Sequence, residues 1–333
     1  MGRGGKSYRS PHARRRSLRG RDTRVLQRET GEVQDSEVST FHRQFRLLHL
    51  WGRKDSEATT TRSLRGGIVL PFKSVNGVKL YYEIHGVGEP VIFGNGVFSN
   101  TLGWVYQHPV ISKEYQVILY DMRGQGQSEK PESPYSFDIH AEDQKLLLDE
   151  LGISEVHHVG ISYGAELGLV FALNYPDMLK SLVVCSAVSH IGPLLYNMAQ
   201  LWRNACMLAD PELFYNATVP LNFAETFIQE QQPLLEKAKE RYVQLNYPAL
   251  VRLMDAFLEL DITDRLPEIE CPACVIAGEK DILKPADPYS RLIHERLPNS
   301  EMVIIRDSGH AVTFEKPEEF NSVVLGFLAK QTQ

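Results

Sequence analysis

The chain has only four cysteines in 333 residues and no apolar run near the roughly 18 residues that a membrane-spanning helix needs. The first scarcity excludes a small fold stapled by disulfides. A chain of this length can bury a sufficient core without them. So few thiols also suit a reducing compartment, and a cytoplasmic location is the expectation. A secretory signal is disfavoured, because no apolar stretch follows the charged start. Acidic residues are missing from the first 21 positions, MGRGGKSYRSPHARRRSLRGR. That gap exposes a split hidden in the formal net charge of −6. Residues 1–67 hold 16 Lys and Arg against 7 Asp and Glu, whereas residues 68–333 hold 20 against 35. A basic arm is joined to an acidic body, and the body carries the features of a soluble globular domain.

The arm offers little for a core. Its apolar residues gather only around Phe41 to Trp51. Arginine and serine without acids fit a transit-like targeting segment, and a basic tail also fits contact with anionic surfaces. A disordered extension over 1–67 is the expected state. No Met lies between Met1 and Met122, so an artefact of the assigned start is a third reading left open. Gly5-Lys6-Ser7 lacks the leading strand and first glycine of a phosphate-binding loop. Lys6 occupies the position where a myristoylation motif has Ser or Thr.

From Phe72 onward short apolar runs alternate with helical patterns. Asn76-Gly77 signals a hairpin turn ahead of the alternating segment Lys79–His85. Further strands are expected at Pro90–Phe93, Gln116–Tyr120, Glu155–Val159, Ser181–Cys185, Ala273–Ala277 and Glu301–Ile305. Helices are expected at Ile139–Leu151, Ala165–Tyr175 and Pro317–Leu328. This order predicts an α/β fold, a mostly parallel sheet flanked by helices. The alternation breaks between 191 and 265, where helical patterns rich in aromatic and Met residues replace strands. About 75 residues exceed a loop. A helical lid inserted after the sixth strand is the reading, with the core formed by 68–190 and 266–333.

The chemistry centres on Gly160-Ile161-Ser162-Tyr163-Gly164, a G-x-S-x-G placed between a strand and a helix. That context is what a nucleophile elbow requires: a sharp turn that lifts the Ser162 hydroxyl above the sheet between small flanking residues. A serine hydroxyl needs a base to take its proton. Two later segments supply partners at the carboxyl ends of expected strands, Gly278-Glu279-Lys280-Asp281 and Asp307-Ser308-Gly309-His310. Ser162 is assigned as nucleophile, His310 as general base and then acid, and Asp281 as the group that fixes the imidazole tautomer. Glu279 is the reserve acid, and Asp307 reads as structural. The oxyanion hole is expected from the N–H groups of Tyr163 and Val97, the latter in the Gly94-Asn95-Gly96-Val97 loop.

On these motifs, residues 72–330 resemble the α/β-hydrolase superfamily. The loop Asp121-Met122-Arg123-Gly124-Gln125-Gly126-Gln127-Ser128 is similar to the family's D-x-R-G-x-G-x-S, and Cys271-Pro272 and Gly309-His310 also match. Asn95-Gly96 departs from the His-Gly of many members. Val75–Glu83 and the Asn-containing loop resemble the branch of 3-oxoadipate enol-lactonases and small carboxylesterases. Serine at 162 argues against the dehalogenase branch, which carries Asp there.

Other candidates carry less. Cys271-Pro-Ala-Cys274 leads into a strand and reads as two buried thiols. His157 and His158 read as packing or edge residues, and Glu166 as structural with access to the pocket. Some lid aromatics are expected to line an apolar pocket over Ser162. The expected function is hydrolysis of a small to medium carboxylic ester through an acyl-enzyme, with no metal or organic cofactor. The partner is then a small-molecule ester or lactone, with no nucleic acid and no membrane span. Oligomeric state stays open. The alternatives are a lactonase or enol-lactonase, a carbon–carbon bond hydrolase, and a hydrolase-fold signalling receptor with little turnover.

Overall fold

The computed structural model describes residues 61–62, 68–69 and 71–332. Within the arm only 61–62 are described, so the expectation of a disordered 1–67 extension lies outside the described residues. The body opens with a hairpin of β1 (Phe72–Val75) and β2 (Val78–His85). Val75 pairs with Val78, and the two turn residues between them, Asn76 and Gly77, take φ of 45° and 73°. A two-residue hairpin loop demands positive φ at both positions, which Asn-Gly tolerates.

Six further strands follow: β3 (Pro90–Gly94), β4 (Gln116–Tyr120), β5 (Val156–Ile161), β6 (Leu179–Cys185), β7 (Ala273–Gly278) and β8 (Ser300–Ile305). The sheet order is β8-β7-β6-β5-β3-β4-β2-β1. All neighbours from β8 to β4 are parallel, and β2 and β1 add an antiparallel edge. The central strands are buried on both faces and read as continuous apolar runs for that reason. Side chains alternate between two cores. Ile92, Ile118, Val184 and Val275 face one way, and Val91, Val117, Val183 and Ile276 the other.

Helix α1 (Phe137–Glu150) is capped by Ser136, whose hydroxyl accepts the Ile139 N–H at 3.2 Å. Helix α2 (Tyr163–Asn174) follows β5 directly and is buried from Tyr163 to Ala172. Five helices then lie between β6 and β7: α3 (Pro193–Leu208), α4 (Pro211–Asn222), α5 (Glu225–Glu230), α6 (Gln232–Tyr242) and α7 (Tyr247–Leu258). They occupy the stretch where no strand pattern was found. After β7 come α8 (Arg291–Arg296) and, after β8, α9 (Pro317–Gln331). Phe320, Val324, Phe327 and Leu328 of α9 cover the second face of the sheet. No helix among the described residues is long and apolar enough to cross a membrane.

The strand order reverses at β3, whose neighbours are β4 on one side and β5 on the other. The loops leaving β3 and β5 therefore diverge to opposite faces and open a crevice beyond the carboxyl ends of the strands, the usual ligand position in such sheets.

Among the described residues, two imidazoles are buried in the first core without hydrogen-bond partners, those of His140 and His158. Burial pushes both down to about 3, with the Arg123 charge adding to the shift at His140. An unfolded chain titrates them near 6.5, so between pH 6.5 and 3 the unfolded state binds the extra protons. Their contribution to stability is present above about pH 6.5 and lost as pH falls, by on the order of 2 kcal/mol per imidazole at pH 5. The His140 ring packs between Tyr135 and Tyr163 at 5.8 and 5.6 Å, so phenylalanine preserves its shape. Urea unfolding at pH 7.5 and 5 checks this: His140→Phe should lose less stability on acidification than the parent chain, by about 2 kcal/mol.

Candidate active site

Ser162 sits at the hinge between β5 and α2 with φ 52° and ψ −126°, a conformation that non-glycine residues rarely adopt. Its N–H is held by the Cys185 carbonyl of β6 at 2.8 Å. The flanking glycines are demanded by backbone crowding. A Cβ on Gly160 would collide with the Gly164 carbonyl, and one on Gly164 would overlap the backbone of Gly94 and Asn95. The turn thus brings the start of α2 against the end of β3.

Asp281 and His310 are brought together. Asp281 Oδ2 meets His310 Nδ1 at 2.8 Å, with both side chains buried. Asp281 Oδ1 accepts the Leu283 and Lys284 N–H groups at 2.9 and 2.8 Å, which fixes the carboxylate plane. A carboxylate only accepts, so Nδ1 carries the hydrogen and the lone pair is left on Nε2. The His310 loop is tied down on several sides. Its carbonyl accepts from Ser186 Oγ at 3.1 Å, the Gly309 N–H bonds Glu315, and the Ala311 N–H bonds the Asn222 carbonyl of α4 at 2.8 Å. Glu315 also accepts the Ala224 N–H, and burial raises its carboxyl above the usual range. Among the described residues no hydrogen bond joins Ser162 to His310.

Val97 and Ser162 line one cavity. Tyr163 opens α2, so its N–H has no carbonyl one turn back within the helix. The loop that carries Val97 is anchored beneath by Asn95. That side chain donates to the Tyr120 carbonyl at 2.8 Å and accepts from Trp104 Nε1 at 2.6 Å. Here lies the reason for asparagine: it bridges two buried groups and does not point at the cavity. The segment 121–128 supports the same loop. Asp121 accepts the Thr101 N–H at 2.8 Å and Gln125 accepts the Ser99 N–H at 3.1 Å, while Arg123 is locked onto Asp143 by two bonds of 2.7 Å.

A family model described as the alpha/beta hydrolase fold matches residues 89–317. The chain belongs to the α/β-hydrolase family. A Caulobacter sp. protein named as a carbamate hydrolase, RutD, is 31% identical over 259 residues, 75% of this chain and 96% of its own length. The 3-oxoadipate enol-lactonase 2 of Acinetobacter baylyi is 28% identical, with 74% of this chain and 92% of the relative covered. Among solved structures, the α/β hydrolase MGS-M2 from a Medee basin deep-sea metagenome superposes with a TM-score of 0.74 at 32% identity, covering 78% of this chain and 97% of that one.

This hydrolase carries one feature that sequence reasoning missed. Lys284, three residues after Asp281, is buried in the cavity and donates to Ser162 Oγ at 3.1 Å. It also pairs with Glu166 Oε1 at 2.6 Å and lies 4.6 Å from the centre of the Phe257 ring. Glu166, four residues after Ser162, accepts the Val188 N–H at 3.0 Å as well. A glutamate in the first turn after the elbow and a lysine in the loop after Asp281 were the available signal. Only the fold reveals that both are buried.

The remaining candidates sort clearly. Glu279 accepts the Asp307 N–H at 3.0 Å, and Asp307 pairs with Lys280 at the surface, so both lie in a surface network apart from His310. His157 and His158 belong to a central strand and are wholly buried, which corrects the edge reading and keeps the packing one. His157 Nδ1 bonds Ser181 Oγ at 2.7 Å. Cys271 and Cys274 are free thiols, Cys271 only part-buried. Trp202 and Phe257 are the insert aromatics that line the cavity, together with Leu195 and Met254. Among the described residues no group of three or more His, Cys, Asp or Glu side chains is placed to hold a metal ion.

The crowding at the elbow gives a test of the turn. Gly164→Ala forces α2 away from β3 and should cost about 3 kcal/mol or more, read as a lowered midpoint in urea unfolding. An exposed glycine on α9, Gly326, meets nothing within 4 Å of an added Cβ, and Gly326→Ala should leave the midpoint unchanged or raise it.

Proposed function

We propose that this hydrolase cleaves carboxylic esters of small to medium acyl groups by way of an acyl-enzyme on Ser162. The observation that carries the reading is the buried Asp281–His310 pair, which leaves the lone pair on Nε2, in a chain whose Ser162 sits on a strained strand-to-helix elbow. Substrate entry would move the Ser162 hydroxyl from Lys284 to His310. Such contacts commonly tighten only in the complex. His310 then takes the proton as Oγ attacks the carbonyl, and the tetrahedral oxyanion is held by the N–H groups of Val97 and Tyr163. Protonated His310 gives its proton to the leaving alkoxide. Water, deprotonated by the same imidazole, releases the acid and restores the serine. Asp281 stays ionised throughout and stabilises the imidazolium.

The apolar lining from α3 and α7 supports a partly hydrophobic acyl group, and the insert would act as a lid over it. A lactone is the second reading, favoured by the resemblance to a relative named as an enol-lactonase. Lactones undergo the same attack, with the leaving alkoxide still tethered. A panel of p-nitrophenyl esters, lactones and aryl carbamates separates these classes. For the best substrate, Ser162→Ala and His310→Ala should each lower kcat by roughly 10⁴-fold or more, and Asp281→Asn by about 10³–10⁴-fold. Turnover that survives Ser162→Ala would refute the covalent route. Tight binding without turnover in the parent chain would favour the receptor alternative.

A further inference from the structure

Lys284, which lines a largely apolar cavity, forms a buried ion pair with Glu166, and the acyl-transfer steps above use neither as an acid or base. Such a pair is poor support for stability, since an apolar pair of equal volume commonly does as well. This one is also imperfectly satisfied. Glu166 Oε1 carries both bonds, from Lys284 and from the Val188 N–H, while Oε2 is buried without a partner among the described residues. Its geometry points at the reaction. The ammonium is held on one side by Glu166, lies over the Phe257 ring, and spends a further N–H on Ser162 Oγ.

That last bond cannot persist through catalysis. Once Oγ becomes an ester oxygen it is a poor acceptor, and the Lys284 N–H that held it is left facing a cavity whose lining, Ser162 and Tyr163 apart, is apolar. His310 is absent from that lining, whereas the leaving group must meet His310 to receive its proton. The part of the substrate beside Lys284 is therefore the acyl part. Glu166 already neutralises the lysine, so the pair presents a hydrogen-bond donor with no net charge. A neutral oxygen fits it better than a carboxylate, which would also face Glu166.

We propose that Lys284, held by Glu166, is a specificity-determining residue that selects acyl groups bearing a neutral carbonyl or hydroxyl oxygen close to the scissile carbonyl. The proposal rests on the acyl-transfer reading. A plain aliphatic acyl group leaves a buried ammonium donor unpaired, and sites built around such a donor discriminate against analogues that lack the acceptor.

The test compares ethyl butanoate, ethyl 3-oxobutanoate and monoethyl succinate, with kcat and KM measured separately for the parent chain and Lys284→Met. The ratio of kcat/KM for the 3-oxo ester to that for the plain ester should fall about ten- to hundredfold in Lys284→Met, mostly through KM. Intrinsic reactivity of the two esters cancels in this comparison of ratios. Lys284→Met strands a buried carboxylate, so Glu166→Gln/Lys284→Met is measured alongside with its urea midpoint. It should show the same fall in ratio while remaining folded. An equal loss on both esters, or an unchanged ratio, overturns the proposal. So does a ratio that falls only for the succinate, which would make the site a carboxylate pocket. Absence of turnover on all three esters by the folded parent chain would instead overturn the ester reading, and the specificity with it.

Discussion

The structure hinges on a close approach of backbones where β3, β5 and the first turn of α2 meet. Gly94, Gly160 and Gly164 lie so near one another that side chains on them would collide with main-chain atoms. That crowding forces Ser162 into its left-handed conformation and fixes where its hydroxyl stands. It also locks the β3 loop beside the elbow, so that Val97 and Tyr163 flank one cavity. The strain is offset by the long parallel ladders on either side, from β8 through β4. A rigid sheet is thus what allows the site to be held in an unfavourable local geometry.

Around this point the polar groups divide by task. Asp121 and Gln125 accept backbone N–H groups, Asn95 bridges the Tyr120 carbonyl and Trp104 Nε1, and Arg123 is locked onto Asp143, so these side chains hold the loops. Asp281 spends one oxygen on backbone and one on His310, so a single carboxylate both shapes its loop and orients an imidazole. Lys284 and Glu166 differ. They are buried, they form no part of the sheet's framework, and the lysine touches the serine. A buried ammonium that spends an N–H on the elbow serine is the donor that the proposed substrate oxygen would take over.

Much of this was legible in the residues because it rests on local rules. Asn76-Gly77 dictates its own turn, and the glycines around Ser162 mark a tight bend between a strand and a helix. The seven strands with expected bounds lie within two residues of the observed ones, since buried strands are short apolar runs, whereas Phe72–Val75 is implied only by the turn after it. Within 191–265, which lacks a strand pattern, five helices run from Pro193 to Leu258. What stayed hidden depends on the third dimension. Nothing in its neighbours says that Lys284 is buried, because lysine is ordinarily a surface residue. His157 and His158 left packing and edge readings open because polar rings in a central strand run against pattern, and they pack: one finds Ser181 and the other is buried beside Gly168. The insert's cavity-lining residues, Trp202 and Phe257, were indistinguishable by sequence from its packing aromatics.

The central claim is that Ser162 is a nucleophile activated by His310. A fluorophosphonate probe tests it directly, because the phosphorus accepts attack by an activated serine and the adduct does not turn over. Intact mass and peptide mapping should show one adduct per chain on Ser162, formed quickly in the parent chain and at least a hundredfold more slowly in the folded His310→Ala variant. Labelling at another residue, or labelling of Ser162 at the same rate without His310, would contradict the account.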